Sequence, residues 1–494
     1  METKQILENL INQFNHDNLL SVMRAKTRTF RQLDEKLPYL NDDHFSDCAL
    51  FGEFKVNDDE MVVLTAKVNK PLSEKSGKKA QYTLGKKFLK DSHKYIGGFF
   101  IFYDDKGDFR FSLIYDIPLS TGKRDWSNFR RYTYFVSKQQ TNKTFIKQFS
   151  EGEFSSLENI IEAFSVEKVT KQFYQEIANW YFWAMDKVEF PDDEEKEREK
   201  RNAKNLIRLI TRIIFIWFMK EKNLVPSTLF EKSFIDKILN YNDKTGSTYY
   251  KAILQNLFFA TLNTKMKKDD KESRIFVEEA AKKGYTSDAY LQQGFYRYSR
   301  FIKDKNLFIE QFENVPFLNG GLFECLDKKI DGKEIRIDCF SDNPKNETRL
   351  KVPDEIFFLE NEIEVDLSGY LGKGKSKKVM GLITILKRYN FTIDENTPID
   401  QDIALDPELL GKVFENLLAA YVPETSETAR KATGSYYTPR EIVEYMVTES
   451  LIEYLNSTGI VPDSEDSTGI VPDSEDSTGI VPDSEDSKGI HPNS

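Results

Sequence analysis

The sequence predicts an α/β unit over residues 1–150. A mainly α-helical region follows over 151–400, then a helical segment over 401–456 and a disordered tail over 457–494. Three observations carry this reading. Before residue 150, short runs rich in β-branched and aromatic residues flank one basic helical segment. After it, apolar residues recur at helical spacing over long stretches. The tail is a tandem repeat with no apolar face to bury.

The opening METKQILENLINQFN is polar and helical, unlike a signal peptide. Strand candidates lie at 47–56, 61–68, 95–103, 109–117 and 131–136, with a basic helix at 78–90 between the second and third. Arg124, Arg130 and Arg131 surround Trp126 and Phe129, the mixture of basic and aromatic groups that single-strand binders use. Residues 156–164 and 169–188 read as amphipathic helices. The stretch 191–226 reads as one capped helix, with acids crowding its first turns and an apolar centre at 206–219. That centre is too short to span a bilayer and contains Arg208 and Arg212, so no membrane is expected. Gly320-Gly321 lacks a following Lys-Ser/Thr and reads as a structural turn. GKGKS at 372–376 also misses the phosphate-loop spacing and reads as a flexible basic loop near DNA backbone. A short amphipathic helix is expected at 381–390.

Residues 405–451 read as helix, polar hairpin, helix. Asp406 caps a helix opened by Pro407, and Leu409, Leu410, Val413, Phe414, Leu417 and Leu418 form its apolar face. The second helix opens at Thr438-Pro439-Arg440-Glu441. Thr438 and Glu441 make a capping box, and Tyr437 and Ile442 a hydrophobic staple. Gly434-Ser435-Tyr436-Tyr437 presents two rings beside free helix N–H groups, which suits a carboxylate together with a flat or sulfur-bearing ligand.

Composition narrows the setting. Three cysteines (Cys48, Cys325, Cys339) lie far apart with no metal-ligand spacing, and the four histidines form no cluster. A reducing cytoplasm is therefore the default. The net charge of −11 comes largely from the repeats, whose nine acids stand against Lys488 alone; the remainder of the chain carries only −3. A near-neutral body is compatible with DNA contact through a local basic surface.

GSYYTPREIVEYMV at 434–447 resembles the motif that precedes the S-adenosylmethionine-binding core of adenine-specific (N6) DNA methyltransferases. LDPELLGKVFENLLAAYVPETSETARKATG before it is similar to the lead-in of type IIG restriction–modification enzymes. RLITRIIFIWFMKEK, residues 249–262 and 294–301, and NVPFLNGGLFECL are similar to the connector of those enzymes. The resemblance covers most of residues 1–456. It implies a PD-(D/E)xK endonuclease-like domain at 1–150, a helical connector at 151–400 and the edge of a methyltransferase domain at 401–456. Duplex DNA is the implied partner, with Mg²⁺ and S-adenosylmethionine as cofactors. Gly434, Tyr436, Tyr437, Thr438 and Pro439 would form one wall of the cofactor site.

In that frame Asp47 is the first nuclease carboxylate and metal ligand, Lys67 the motif lysine and Gln81 a third site residue. Thr65-Ala66-Lys67 has threonine where the motif has an acid, and a hydroxyl is a poorer ligand for a hard cation. Glu53 and Glu60 are alternative acids. Two readings stand open for this domain, an active nuclease and a nuclease-derived scaffold facing DNA.

The sequence contains no Asn-Pro-Pro-Tyr-type tetrapeptide, which would grip a flipped adenine, and no Gly-rich cofactor loop after a strand. Instead STGIVPDSED recurs at 457–466, 467–476 and 477–486. The expectation is a reading frame ended by repeat slippage or frameshift, giving a chain unable to methylate alone. The alternatives are a free-standing Mg²⁺ nuclease, and a non-enzymatic subunit that completes a methyltransferase in trans.

Overall fold

Runs of β-branched and aromatic residues in the N-terminal part build one mixed sheet of seven strands, its central strands buried on both faces. The computed structural model describes residues 2–73, 76–118, 124, 126–264, 274–284, 294–318, 321–392, 400–405, 411 and 440–457. Two helices, α1 (Thr3–Asn12) and α2 (His16–Lys26), precede β1 (Arg31–Lys36), β2 (Phe45–Val56) and β3 (Asp59–Val68). Helix α3 (Lys78–Ser92) then crosses to β4 (Gly97–Tyr103), which is followed by β5 (Phe109–Asp116) and β6 (Phe129–Val136). Strand β3 runs parallel to β4 across that helix, and the other neighbours from β1 to β6 pair antiparallel. All five strands and the basic helix expected from the sequence are present. Strand β1 was not foreseen, because an exposed edge strand such as RQLDEK has no apolar alternation to betray it.

The period of two divides the sheet into two faces. Met61, Val63, Phe99, Ile101, Phe111 and Leu113 join Leu7, Leu10, Leu19 and Val22 of α1 and α2 in one core. On the opposite face Val62, Leu64, Phe100, Phe102 and Ile114 join Leu84, Phe88 and Leu89 of α3 in a second. Gly98 keeps β4 close to β3, since a Cβ there would stand 2.5 Å from the Val62 carbonyl oxygen.

The first core continues into the helical region. Helices α4 (Lys143–Glu151), α5 (Leu157–Ala163), α6 (Val166–Lys187), α7 (Arg198–Glu221) and α8 (Lys232–Ile238) lead to a π-helix, Tyr250–Leu262. Then come α9 (Val277–Lys282), α10 (Lys305–Glu313), the hairpin β7 (Lys328–Ile330)–β8 (Lys333–Ile335) and α11 (Glu355–Phe358). Strand β9 (Ile363–Asp366), α12 (Ser368–Leu371), β10 (Ser376–Val379) and α13 (Leu382–Leu386) complete the region. The chain then returns as β11 (Asp400–Asp402), the seventh strand, parallel to β6. One continuous apolar core runs from Leu7 to Leu405. Residues Met1–Ser435 form one compact unit. A second, Tyr436–Ser494, has the helix Arg440–Ser457 as its described part. The predicted tail at 457–494 and the first helix of the 405–451 stretch lie almost wholly outside the described residues.

Two local readings change. The acid run at 192–197 lies ahead of α7, which starts at Arg198 with Glu199 as the acid of its first turn. Its members bind elsewhere: Asp193 pairs with Arg349 at 2.7 Å and accepts the Arg336 backbone N–H at 2.9 Å. The GKGKS segment joins two paired strands, Gly372 and Gly374 taking φ of 93° and 75° while the Gly374 and Lys375 N–H groups donate to Ser368 Oγ.

Buried charge organises the helical region. Arg212 and Asp338, each 2% exposed, pair at 3.2 Å. Arg212 also donates to the carbonyls of Leu322 and Glu324. The π-helix contributes Gln255, which donates to the Asp338 carbonyl at 2.6 Å and accepts from the Tyr298 hydroxyl at 2.8 Å. Its Asn256 is satisfied by the Arg297 backbone and Ala252. Asp327 accepts the N–H groups of Ile337, Asp338, Cys339 and Phe340, fixing the chain after the β7–β8 turn.

Replacing Arg212 by Met leaves buried Asp338 only the more distant Arg208, at 3.8 Å, and urea unfolding should show a loss of roughly 3 kcal/mol. The double variant Arg212→Met/Asp338→Asn should recover part of it, and an unchanged midpoint in the single variant would deny the pair its role. Asp354, which accepts the Tyr249 N–H at 2.8 Å, gives a pH prediction. Burial pushes its carboxyl up to about 7, against the lowering effect of that hydrogen bond and with the help of the Asp243 charge. The folded state therefore holds a proton that the unfolded chain has lost, and stability falls as pH rises from about 4 to about 7. Asp354→Asn should flatten the unfolding profile across that window.

Candidate functional site

Two places on the sheet gather functional side chains. The first is the shared end of β2, β3 and β4, where the register aligns Ser46, Lys67 and Tyr103. Strand β2 is irregular there: its register shifts between Ser46 and Ala49, and Asp47 takes φ of 48°, a left-handed conformation that Asp tolerates. The bulge leaves Asp47 exposed. Lys67 pairs with Asp105, just beyond β4, at 2.8 Å. That hydrogen bond and the charges of Asp105 and Asp47 raise the Lys67 pKa, so the ammonium stays charged. Burial raises the Tyr103 pKa, with Asp47, Cys48 and Asp105 adding to it.

Thr65 lies two residues before Lys67 on the same face. It is fully buried, and its hydroxyl has no hydrogen-bond partner among the described residues.

Of the residues named from sequence, the structure brings Asp47 and Lys67 to one sheet end and holds Gln81 apart. Gln81 is buried on α3, whose apolar residues pack on the opposite face, and its Oε1 has no partner among the described residues. Glu53 and Glu60 do not reach Asp47. They sit at the other end of β2–β3, roughly 15–20 Å along the strand, in a cluster with Arg31, Lys94 and Tyr95. Burial alone would raise the Glu53 carboxyl, but hydrogen bonds from Lys94, Tyr95 and Arg31 outweigh it and hold the pKa at about 2. Asp47, Lys67 and Gln81 by themselves thus supply one carboxylate, a poor fit to a hard divalent cation. Among the described residues no three His, Cys, Asp or Glu side chains converge as a metal site. Gly434, Tyr436, Tyr437, Thr438 and Pro439 lie outside the described residues.

The second place is a polar seam under α3, which sequence reasoning missed. Arg131 is completely buried and grips Asp400 through two hydrogen bonds, at 2.8 and 2.5 Å. It donates a third to the Lys78 carbonyl, and its guanidinium lies over the Tyr82 ring. Lys78 pairs with Asp402, and Arg124 with Asp116. Ser112 and Thr133 share a hydrogen bond of 2.7 Å. Ser112, Asp116, Arg131 and Thr133 share the face of β5 and β6 that carries Ile114 and Phe129 and packs on α3. The group read from sequence as a possible single-strand surface is instead largely internal: Arg131 and Phe129 are buried, and Trp126 meets His93 edge-on.

The arrangement defines a mixed α/β unit whose sheet shares its core with a helical region. Its element order of helices, two antiparallel strands, crossover helix and parallel strand matches the sequence expectation. The chain is similar to a protein of Methanocaldococcus jannaschii named "Putative type II restriction enzyme and methyltransferase", at 24% identity over 306 residues. That match covers 58% of this chain and 19% of the relative, so the chain corresponds to about a fifth of that protein's length. It supports a restriction–modification relationship. No family model matches the chain, and no solved structure does. Among the described residues no helix is long and apolar enough to cross a membrane.

Arg131→Ala should release β11 from the sheet. Limited proteolysis should then cut at residues 400–405 at least ten times faster than in the parent chain, while Arg130→Ala leaves the rate unchanged. Equal rates in all three would show that the three-residue ladder holds without the guanidinium.

Proposed function

We propose that this chain is the N-terminal portion of a type IIG restriction–modification protein that binds duplex DNA in the cytoplasm. The observation that carries the reading is the 306-residue similarity to a protein named as both restriction enzyme and methyltransferase. The nuclease-type element order of residues 1–136 supports it, as does the GSYYTPREIVEYMV sequence at 434–447, which is helical from Arg440 on. On this reading residues 1–150 are the endonuclease-like part, 151–400 the connector and 401–456 the entrance to the methyltransferase. S-adenosylmethionine is the cofactor of the complete site, with Gly434, Tyr436, Tyr437, Thr438 and Pro439 as one wall. The 494 residues lack the adenine-gripping tetrapeptide, so the chain by itself does not methylate.

A second reading, assembly in trans with a chain that carries the missing motifs, is favoured by the helix Arg440–Ser457. It exposes Ile442, Val443, Tyr445, Met446, Val447 and Leu451 around its circumference. These apolar residues are spread around the helix between polar ones, so no single packing face would cover them all.

Binding of the purified chain to a labelled duplex should weaken steeply between 50 and 200 mM salt, as phosphate contacts dictate. It should transfer no tritiated methyl group to DNA until a polypeptide bearing the Asn-Pro-Pro-Tyr motif is added. Absence of duplex binding at 50 mM salt would refute the reading, and methyl transfer by the chain alone would refute the division of labour.

A further inference from the structure

We infer that a cleft beside α6 takes one unpaired adenine or cytosine nucleotide, free or carried on a single strand. The strand as carrier rests on the DNA-binding reading above; the chemistry of the cleft does not.

The cleft has a volume of about 210 Å³ and is lined from α4, α6, β10 and α13. Its walls differ in chemistry. Lys147 of α4 and Lys378 of β10 are exposed. Lys147 has no ion pair among the described residues, and Lys378 reaches only Glu362, at 3.7 Å. Val379, Met380 and Ile385 are buried and supply an apolar side. One face of α6 contributes Gln172, Gln175, Glu176 and Asn179, at helical spacing. The Gln175 and Asn179 amides make no side-chain hydrogen bond among the described residues. Glu176 is the pointer to a donor. Its Oε1 accepts from Gln172 at 3.1 Å. Its Oε2 is buried and makes no hydrogen bond among the described residues. Arg388 stands 3.8 Å from it and is committed to Glu362 at 2.9 Å. The Tyr389 phenol, which feels the Glu176 charge, is itself buried without a well-aligned bond. An unsatisfied buried carboxylate oxygen costs free energy that an N–H donor would remove.

These walls select the ligand. A bare anion would meet the lysines but face Glu176 and Glu362. A bare cation would meet those acids but face Lys147, Lys378 and Arg388. The ligand therefore carries an anionic group and an uncharged N–H donor together. Asn, Gln and Glu are the side chains that read base edges: the amides pair with adenine, and a carboxylate accepts from the cytosine amino group. Lysines hold phosphate, and a base taken out of its stack is held against apolar side chains. A duplex turns its amino groups inward to the partner strand, so the nucleotide must be unpaired. Thymine is disfavoured, because its one ring N–H lies between carbonyls that would face the carboxylates.

Fluorescence anisotropy of the full chain with labelled oligo-dA, oligo-dC and oligo-dT tests the assignment, with AMP as a competitor. The dA and dC strands should bind roughly tenfold more tightly than dT. Lys147→Ala should weaken all three alike, and Glu176→Gln should remove the preference for amino-bearing bases. Lys237→Ala, on α8, should bind as the parent does. The base preference decides, because a misfolded variant loses every strand, whereas Glu176→Gln should lose only the ranking; circular dichroism checks each fold. Displacement of the strands by AMP assigns the cleft to a nucleotide from either source. Strand binding that AMP does not displace assigns it to a strand, and AMP binding without strand binding to a free nucleotide. Equal affinity for dA and dT, an undiminished preference in Glu176→Gln, or no binding of any strand or AMP would overturn the site. Duplex binding, measured separately, decides the wider reading, so the cleft can fail while that reading stands.

Discussion

A guanidinium with no access to water decides where the chain goes after its helical region. Arg131 points into the sheet face beneath α3, where an unpaired charge would cost several kcal/mol. Asp400 neutralises it with a two-bonded clamp, and the Lys78 carbonyl takes a further N–H. The ladder beside them is three residues long, too little to hold a strand by backbone bonding alone. Charge therefore does what length cannot. Residues 400–402 are fixed as the seventh strand, at the edge of the sheet beside β6.

The helical region solves a related problem with the same chemistry. A thirteen-residue π-helix, every residue buried, carries wider turns and looser side-chain rows than an α-helix. Gln255 and Asn256 would be costly inside it unless each amide found partners. They find them in Tyr298, the Arg297 backbone and the loop ending at Asp338, and Arg212 from α7 locks that loop. The aromatic faces of Phe258 and Phe259 complete the guanidinium's environment at 5.5 and 5.1 Å. Polar satisfaction, more than apolar area, selects this packing over slipped alternatives.

Short runs rich in β-branched and aromatic residues made β2 to β6 legible, since a strand buried on both faces is apolar almost throughout, and helical spacing made α6 and α7 legible. Three things left none. The π-helix is buried on every side, so its sequence carries no period. Strand β11 is short and acidic, and only its remote partner Arg131 explains it. The acid run at 192–197 looks like a helix start, yet Arg349 and Arg336, more than a hundred residues away, claim Asp193. The candidate site divided along the same line. Asp47 and Lys67 were readable because they lie on adjacent strands. Gln81 lies on α3, buried beside the second core, and motif order alone does not say on which sheet face that helix packs.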